Sequence, residues 1–123
     1  MSTPAPHARG VTMYGIASCD TVRRARAWFA RHRPGVQFHD FKRLGVPPER
    51  LDAWIAAVGW ERLVNRQGTT WRRLDDSERA AVHDAPSARH SLLAHASLIK
   101  RPVVEWDDGT ISVGFDPDRW PGG

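Results

Sequence analysis

The chain has few of the residues that define several classes of protein. Its single cysteine, Cys19, excludes an internal disulfide, and it has no CxxC pair or Cys/His ladder for structural zinc. The six histidines show no HxxxH or similar spacing of ligands, so no metal is expected. No apolar run approaches the roughly 20 residues that span a bilayer, so no membrane association is expected.

Lysine is also scarce, since Lys42 and Lys100 are the only two, and arginine supplies nearly all of the cationic charge. The formal net charge is +4. A protein that binds nucleic acid usually has a basic cluster or stripe, whereas here arginine alternates with aspartate and glutamate along most of the chain. No direct nucleic-acid partner is therefore expected.

The 123 residues, 41% hydrophobic and 26% charged, have the size and balance of one globular domain, expected over 11–123. Residues 1–10 are rich in proline and alanine without the apolar core of a secretory signal, and they predict a flexible N-terminal tail. A lone thiol without an export signal predicts a reducing, cytoplasmic location.

The N-terminal part of the chain predicts a strand, a helix and a second strand. Residues 11–16 are short, apolar and β-rich, and residues 36–41 alternate with period two. Between them, residues 21–32 have helical periodicity. The apolar face of this helix consists of Val22, Ala25, Trp28 and Phe29. The order strand, helix, strand is typical of a βαβ unit.

The middle of the chain, about 47–95, predicts a helical insertion. Pro47 and Pro48 open a helix at a position that proline tolerates. Its apolar stripe consists of Leu51, Trp54, Ile55 and Val58. Further helical segments are predicted over 60–64, from 75 onwards and over 87–94, with a polar loop over 65–70.

The C-terminal part of the chain predicts a β-hairpin. Strands are expected over 98–106 and 110–115, joined by the turn signal Asp107-Asp108-Gly109, and residues 116–120 predict a short helix or turn. The expected fold is therefore α/β, a thioredoxin-like mixed sheet made of a β-α-β unit plus a β-hairpin, with a helical insertion.

Cys19 lies where the first predicted strand meets the first predicted helix. The unsatisfied N–H groups and the dipole of a helix N-terminus favour an anion such as a thiolate. The pKa of Cys19 is therefore expected below its usual ~8.5, and Arg23, one turn along, would add positive charge. Such a thiol is a nucleophile near neutral pH, while the alternative is a buried structural cysteine.

Asp20 and Thr21 begin this predicted helix and have two interpretations. Either residue could be an N-cap. Thr21 could instead use its hydroxyl or its N–H to hold an anion beside the sulfur. The sequence leaves both interpretations open.

Three motifs resemble one known family. The stretch YGIASCDTVRRAR at 14–26 resembles the active-site segment of the ArsC/Spx family. The stretch GWERLVNRQGTTWR at 59–72 and the segment IKRP at 99–102 resemble its YffB branch. The resemblance extends over about 11–120, and the three motifs in this order make it specific.

The resemblance implies glutathione-dependent thiol reductase or arsenate-reductase-like chemistry, with glutathione as co-substrate and no bound cofactor. It matches Cys19 to the family's nucleophile. It also matches Arg101, and Arg66 or else its neighbour Asn65, to residues that hold the oxyanion. A third arginine follows the last hairpin in the arsenate reductases, but no arginine stands at 112–115 here, where the sequence is SVGF.

The arginines also have two interpretations from residue chemistry alone. Arg23, Arg66 and Arg101 could bind the carboxylates of glutathione or an oxyanion, because arginine pairs bidentately with such groups. The alternative is surface ion pairs with neighbouring carboxylates such as Asp20, each worth about 0–1 kcal/mol.

Pro102 distinguishes Arg101 from the other arginines. An X-Pro bond is the one place where a cis peptide bond is readily tolerated. We predict that the Arg101–Pro102 bond is cis and lies near Cys19, where it would leave a backbone edge free to pair with a peptide-like substrate.

Two functional hypotheses follow. Because the chain has one cysteine, any disulfide it forms is intermolecular, and exchange passes through a mixed disulfide. The first hypothesis is a monomeric, glutathione-dependent reductase that acts on a small oxyanion or a mixed disulfide. The alternative is a Spx-like regulator that binds RNA polymerase without turnover. Many Spx-type proteins carry a CxxC redox switch. In this chain Val22 stands at the position of the second cysteine.

Overall fold

The computed structural model describes residues 10–121, which form two compact units. The first unit comprises the chain up to Leu44 and from Arg101 onwards, and the second is Gly45–Lys100. The second unit contains the segment of about 47–95 for which the sequence predicts a helical insertion. Apart from Gly10, the predicted N-terminal tail lies outside the described residues.

The first unit is a four-stranded mixed sheet with two helices. Its elements are β1 (Thr12–Gly15), α1 (Asp20–His32), β2 (Gln37–Asp40), α2 (Phe41–Leu44), β3 (Val103–Glu105) and β4 (Ile111–Val113). The strand order is β2-β1-β3-β4. β1 pairs in parallel with β2 and antiparallel with β3, and β3 pairs antiparallel with β4. The predicted thioredoxin-like sheet, a β-α-β unit plus a hairpin, is confirmed.

Helix α1 packs its apolar face against this sheet. All four residues predicted for that face are buried. Trp28 meets Trp120 edge-to-face with ring centroids 5.1 Å apart, and Phe29 lies 5.6 Å from Trp106. Since aromatic side chains each bury a large area, this cluster fixes the helix and hence the direction of its N-terminus.

The second unit consists of short helices. They are α3 (Pro48–Val58), α4 (Trp60–Leu63), α5 (Thr69–Arg73), α6 (Asp76–Ala80) and α7 (Ala85–Ala94), followed by one 3-10 turn, Ala96–Leu98. Helices α6 and α7 each begin with a capping box, in which Asp75 and Asp84 accept from the N–H groups of Glu78 and Ser87. These caps satisfy orphan donors at the helix ends.

The structure corrects the sequence-based boundaries in two loops. Residues 69–73 form α5, although 65–70 were predicted to be a polar loop; a five-residue helix is too short for its periodicity to show. Phe41 begins α2 instead of ending β2, because the Asp40 carboxylate accepts from the Lys42 N–H at 3.0 Å and turns the chain.

The C-terminal boundaries also differ from the prediction. β3 begins at Val103 and not at Leu98. Residues just before it pair within the second unit: the Lys100 N–H donates to the Leu63 carbonyl at 2.7 Å, and the Asn65 N–H donates to the Leu98 carbonyl at 2.8 Å. Residues 117–119 and 121 are in turns and residue 120 is in a bend, so the terminal segment is a turn and not a helix.

Gly15 provides a test of the packing between β1 and α1. A Cβ atom at this position would lie 2.7 Å from Val22 Cγ2, closer than real Cβ contacts. We expect Gly15→Ala to lower the free energy of unfolding by about 1–3 kcal/mol, as overpacking does, measured by urea denaturation. The control is Gly10→Ala, because nothing lies within 4 Å of a Cβ there. Equal stability of the two variants would contradict this close packing.

Candidate active site

The loop between β1 and α1 places Cys19 at the start of the helix. The chain leaves β1 at Gly15, and the Cys19 N–H donates to the Ile16 carbonyl at 3.0 Å, which closes a tight turn. Cys19 is the N-cap of α1, with an extended backbone, and its carbonyl accepts from the Arg23 N–H at 2.9 Å. The thiol therefore lies at the positive end of a helix of 13 residues.

The surroundings of the thiol favour its anionic form. Partial burial raises the pKa of Cys19, because it penalises the thiolate. The backbone N–H groups of Val22 and Thr21 and the positive charge of the Arg101 guanidinium lower the pKa of Cys19, because each of them favours the thiolate. Together these groups outweigh burial, so the pKa of Cys19 lies below its ordinary value.

Arg101 reaches the thiol because of the register of the sheet. β3 runs antiparallel to β1 and pairs Val103 with Tyr14, so the residues just before Val103 lie beside the chain that leaves β1. The Arg101–Pro102 peptide bond is cis, and the Pro102 carbonyl accepts from the Gly114 N–H at 2.9 Å. Two segments that are distant in the sequence thus meet at one end of the central strand.

Thr21 and Arg23 occupy different positions relative to the sulfur. Cys19 is itself the N-cap, so neither Asp20 nor Thr21 has that role, and the Thr21 backbone N–H helps to lower the pKa of Cys19. The Arg23 guanidinium forms an ion pair with Asp20, and both side chains are exposed. This is the surface ion pair that the sequence left as the alternative for Arg23.

Arg66 and Asn65 belong to the second unit. The exposed Arg66 guanidinium lies over two indole rings, 5.7 Å from the centroid of Trp60 and 5.7 Å from that of Trp71. Cation–π contacts of this kind hold a cation in place without neutralising its charge. Asn65 instead accepts from the Gln67 N–H at 3.3 Å and shapes the loop before α5. Of the two residues that the resemblance allowed, Arg66 is the exposed cation.

Gly114 lies in the stretch 112–115, where the resemblance to the arsenate reductases would place a third arginine. Its φ of 91° lies in the region that favours glycine. An arginine at this position would therefore strain the backbone. The described part of the site has one arginine, Arg101, at the thiol.

Comparison with known proteins agrees with this geometry. The sequence profile of the ArsC family matches residues 14–122. The chain belongs to the ArsC family. The solved structure of a YffB protein aligns with a TM-score of 0.81 at 44% identity and covers 88% of this chain and 93% of its own. The solution structure of an arsenate reductase (ArsC) related protein from Brucella melitensis aligns with a TM-score of 0.72 at 45% identity, covering 95% and 94%.

A transcriptional regulator is also similar to this chain. The global transcriptional regulator Spx of Streptococcus pyogenes is 25% identical over 112 residues, which cover 89% of this chain and 81% of Spx. In residues 10–121, no helix has the length and apolar character needed to cross a membrane. Among the same residues, no three or more His, Cys, Asp or Glu side chains are grouped so that they could hold a metal ion.

The thiol pKa gives a direct test of the site. We expect Arg101→Met to raise the pKa of Cys19, because the thiolate loses a hydrogen bond and a positive charge. The thiolate fraction at a given pH should fall accordingly. The measurement is an ultraviolet titration of the thiolate, corrected with Cys19→Ser.

Arg23→Met is the matched control for this titration. This variant removes the same charge from the first turn of α1, but the Arg23 guanidinium that it removes is paired with Asp20. It should leave the thiol pKa close to that of the wild type. Equal shifts in the two variants would show that Arg101 has no special position at the sulfur.

Proposed function

We propose that this ArsC-family protein is a glutathione-dependent thiol reductase of the arsenate-reductase type, with Cys19 as its nucleophile. The observation that carries the proposal is the thiol at the N-terminus of α1, with its pKa lowered by backbone N–H groups and by Arg101. A lowered pKa gives a larger thiolate fraction near neutral pH, and the thiolate is the reactive form. Family membership supports this class of chemistry.

The proposed reaction is thiol–disulfide exchange with an external thiol. The Cys19 thiolate attacks one sulfur of a glutathione mixed disulfide, so that a new S–S bond to glutathione forms, the old S–S bond breaks and the partner leaves as a thiolate. The thiolate of a second glutathione then attacks that bond and releases glutathione disulfide and the Cys19 thiolate. Because the chain contains one cysteine, the resolving sulfur comes from outside the chain.

The arginines would bind the anionic part of the substrate. Arg101 is at the thiol and can pair with a carboxylate or an oxyanion there. Arg66 is a second candidate, since its guanidinium is exposed and lies over Trp60 and Trp71. Without an arginine at Gly114, the proposed anion site has fewer charges than the resemblance to the arsenate reductases implies. This favours a glutathione mixed disulfide over arsenate as the substrate.

A Spx-like role is the second candidate, and the similarity to Spx over 89% of the chain favours it. In that role RNA polymerase would be the partner, and Cys19 would not turn over. The first candidate, the reductase, would convert glutathione to glutathione disulfide, and the second would not. Of the pair of cysteines in a CxxC switch, this chain has only the first, since Val22 stands at the fourth position.

The decisive experiment measures turnover of the mixed disulfide between glutathione and 2-mercaptoethanol, with reduced glutathione in excess. We expect the wild type to form glutathione disulfide and Cys19→Ser to fall to the uncatalysed rate, because a serine hydroxyl is not ionised near neutral pH. The rate should also fall as the pH is lowered through the thiol pKa. If wild type and Cys19→Ser had the same rate, the enzyme proposal would be wrong.

Arg66 can be tested separately through the Michaelis constant. A hydrogen bond to a charged group contributes about 1.5–3 kcal/mol, so Arg66→Gln should raise KM for the mixed disulfide about 10- to 100-fold. The value of kcat should change less, because the thiol is intact. Arg62→Gln is the control, since it removes an exposed arginine from α4 in the same unit. Identical KM values for the two variants would remove Arg66 from the substrate site.

A further inference from the structure

A groove on the outer side of α1 lies outside the thiol site. It has a volume of about 450 Å³, and its apolar walls are Trp28 and Phe115. Both walls pack on Trp120, with ring centroids 5.1 Å away in each case. The walls are therefore held by the core of the first unit. We call this feature the α1 groove.

The α1 groove forms because two alanines on α1 lie between longer side chains. Arg24, Ala27, Trp28 and Arg31 follow the spacing i, i+3, i+4, i+7, which places them on one stripe of the helix. Ala27 and Ala30 are exposed and fill little space. An arginine therefore stands at each end of a shallow apolar floor.

The charge of the α1 groove has one sign. Among the described residues that line it, Arg24, Arg31 and His32 are basic and none is acidic. Arg24 lies over the Phe115 ring, 6.0 Å from its centroid, and the His32 ring lies against Trp28, tilted by 38°, with ring centroids 4.8 Å apart. The nearby Asp116 carboxylate lies 3.4 Å from the Arg119 guanidinium. Neither Arg24 nor Arg31 forms an ion pair with a residue in the described range.

The spacing of the two arginines indicates the form of the ligand. Seven residues along a helix correspond to about 10 Å, which is about three residues of an extended chain. Small-molecule sites usually enclose most of their ligand. The α1 groove does not, because Arg24, Ala27, Ala30, Arg31 and His32 are all exposed.

We propose that the α1 groove binds an acidic peptide segment of a partner protein, in extended form, with two carboxylates about three residues apart and an apolar side chain between them. The apolar side chain lies between Trp28 and Phe115, and the carboxylates pair with Arg24 and Arg31. The proposal does not depend on the reductase activity, because the residues that lower the pKa of Cys19 do not line the groove.

The test uses the peptide acetyl-Ser-Glu-Leu-Phe-Glu-Ser-amide and nuclear magnetic resonance of the isotope-labelled full chain. We expect saturable shifts at the Ala27 and Ala30 amides and at the Trp28 indole. We also expect affinity to fall as salt is added, because exposed charge pairs are screened. A peptide with glutamine in place of both glutamates should bind about tenfold more weakly or worse.

Two matched double variants separate local recognition from overall charge. Arg24→Gln/Arg31→Gln should weaken the binding of the acidic peptide about tenfold or more. Arg26→Gln/Arg43→Gln removes the same charge outside the groove, since Arg26 lies over Phe38 at 4.4 Å and Arg43 is exposed on α2. This control should bind like the wild type. Ala27→Gln, which fills the floor without changing the charge, should also weaken binding.

Several outcomes would overturn the proposal. They are the absence of saturable shifts up to about 2 mM peptide, shifts that map to another face, and equal weakening by the two double variants. Equal affinity for the glutamine peptide would show that the carboxylates are not recognised. If benzoate bound as tightly as the peptide, the groove would be a site for small aromatic anions, and the peptide proposal would be wrong. Thermal unfolding of each variant verifies that it is folded.

Discussion

The pairing of β1 with both of its neighbours is the constraint on which the thiol site depends. β1 lies inside the sheet, with β2 parallel on one side and β3 antiparallel on the other. The parallel partner requires a crossover helix, α1, which begins just beyond the end of β1. The antiparallel partner brings the chain before β3 to the same end. Cys19 and Arg101 therefore meet because one strand has two partners of opposite direction.

The same sheet also contains a buried acid. Glu105 is 1% exposed, and its carboxylate accepts from the Tyr14 hydroxyl at 2.9 Å. A buried carboxylate needs such a partner because desolvation is costly. The Tyr14 ring in turn lies against the His39 ring, tilted by 39°, with ring centroids 5.0 Å apart. These contacts join β1, β2 and β3 through side chains as well as through backbone hydrogen bonds.

Local patterns predicted the elements of the first unit well, because short strands and an amphipathic helix have characteristic periodicity. They failed where tertiary contacts decide the conformation. Leu98 is apolar and precedes a strand, yet its carbonyl pairs with Asn65. Helix α5 has too few residues for periodicity, and its Trp71 is only half-buried. The alternation of β2 likewise does not reveal that the His39 side chain lies against Tyr14.

The sequence by itself determined that one thiol stands at a strand–helix junction and that its resolving sulfur, if it reacts, is external. It also determined the fold class, through the order of its periodic segments and motifs. Only the tertiary structure decided which arginine acts on that thiol. Arg23 is four residues from Cys19 but pairs with Asp20, while Arg101 is distant in the chain and reaches the sulfur. The reason is physical: the pairing of β1 with β3 joins segments that are far apart in the chain, so the pattern within either segment does not show which of their neighbours will meet.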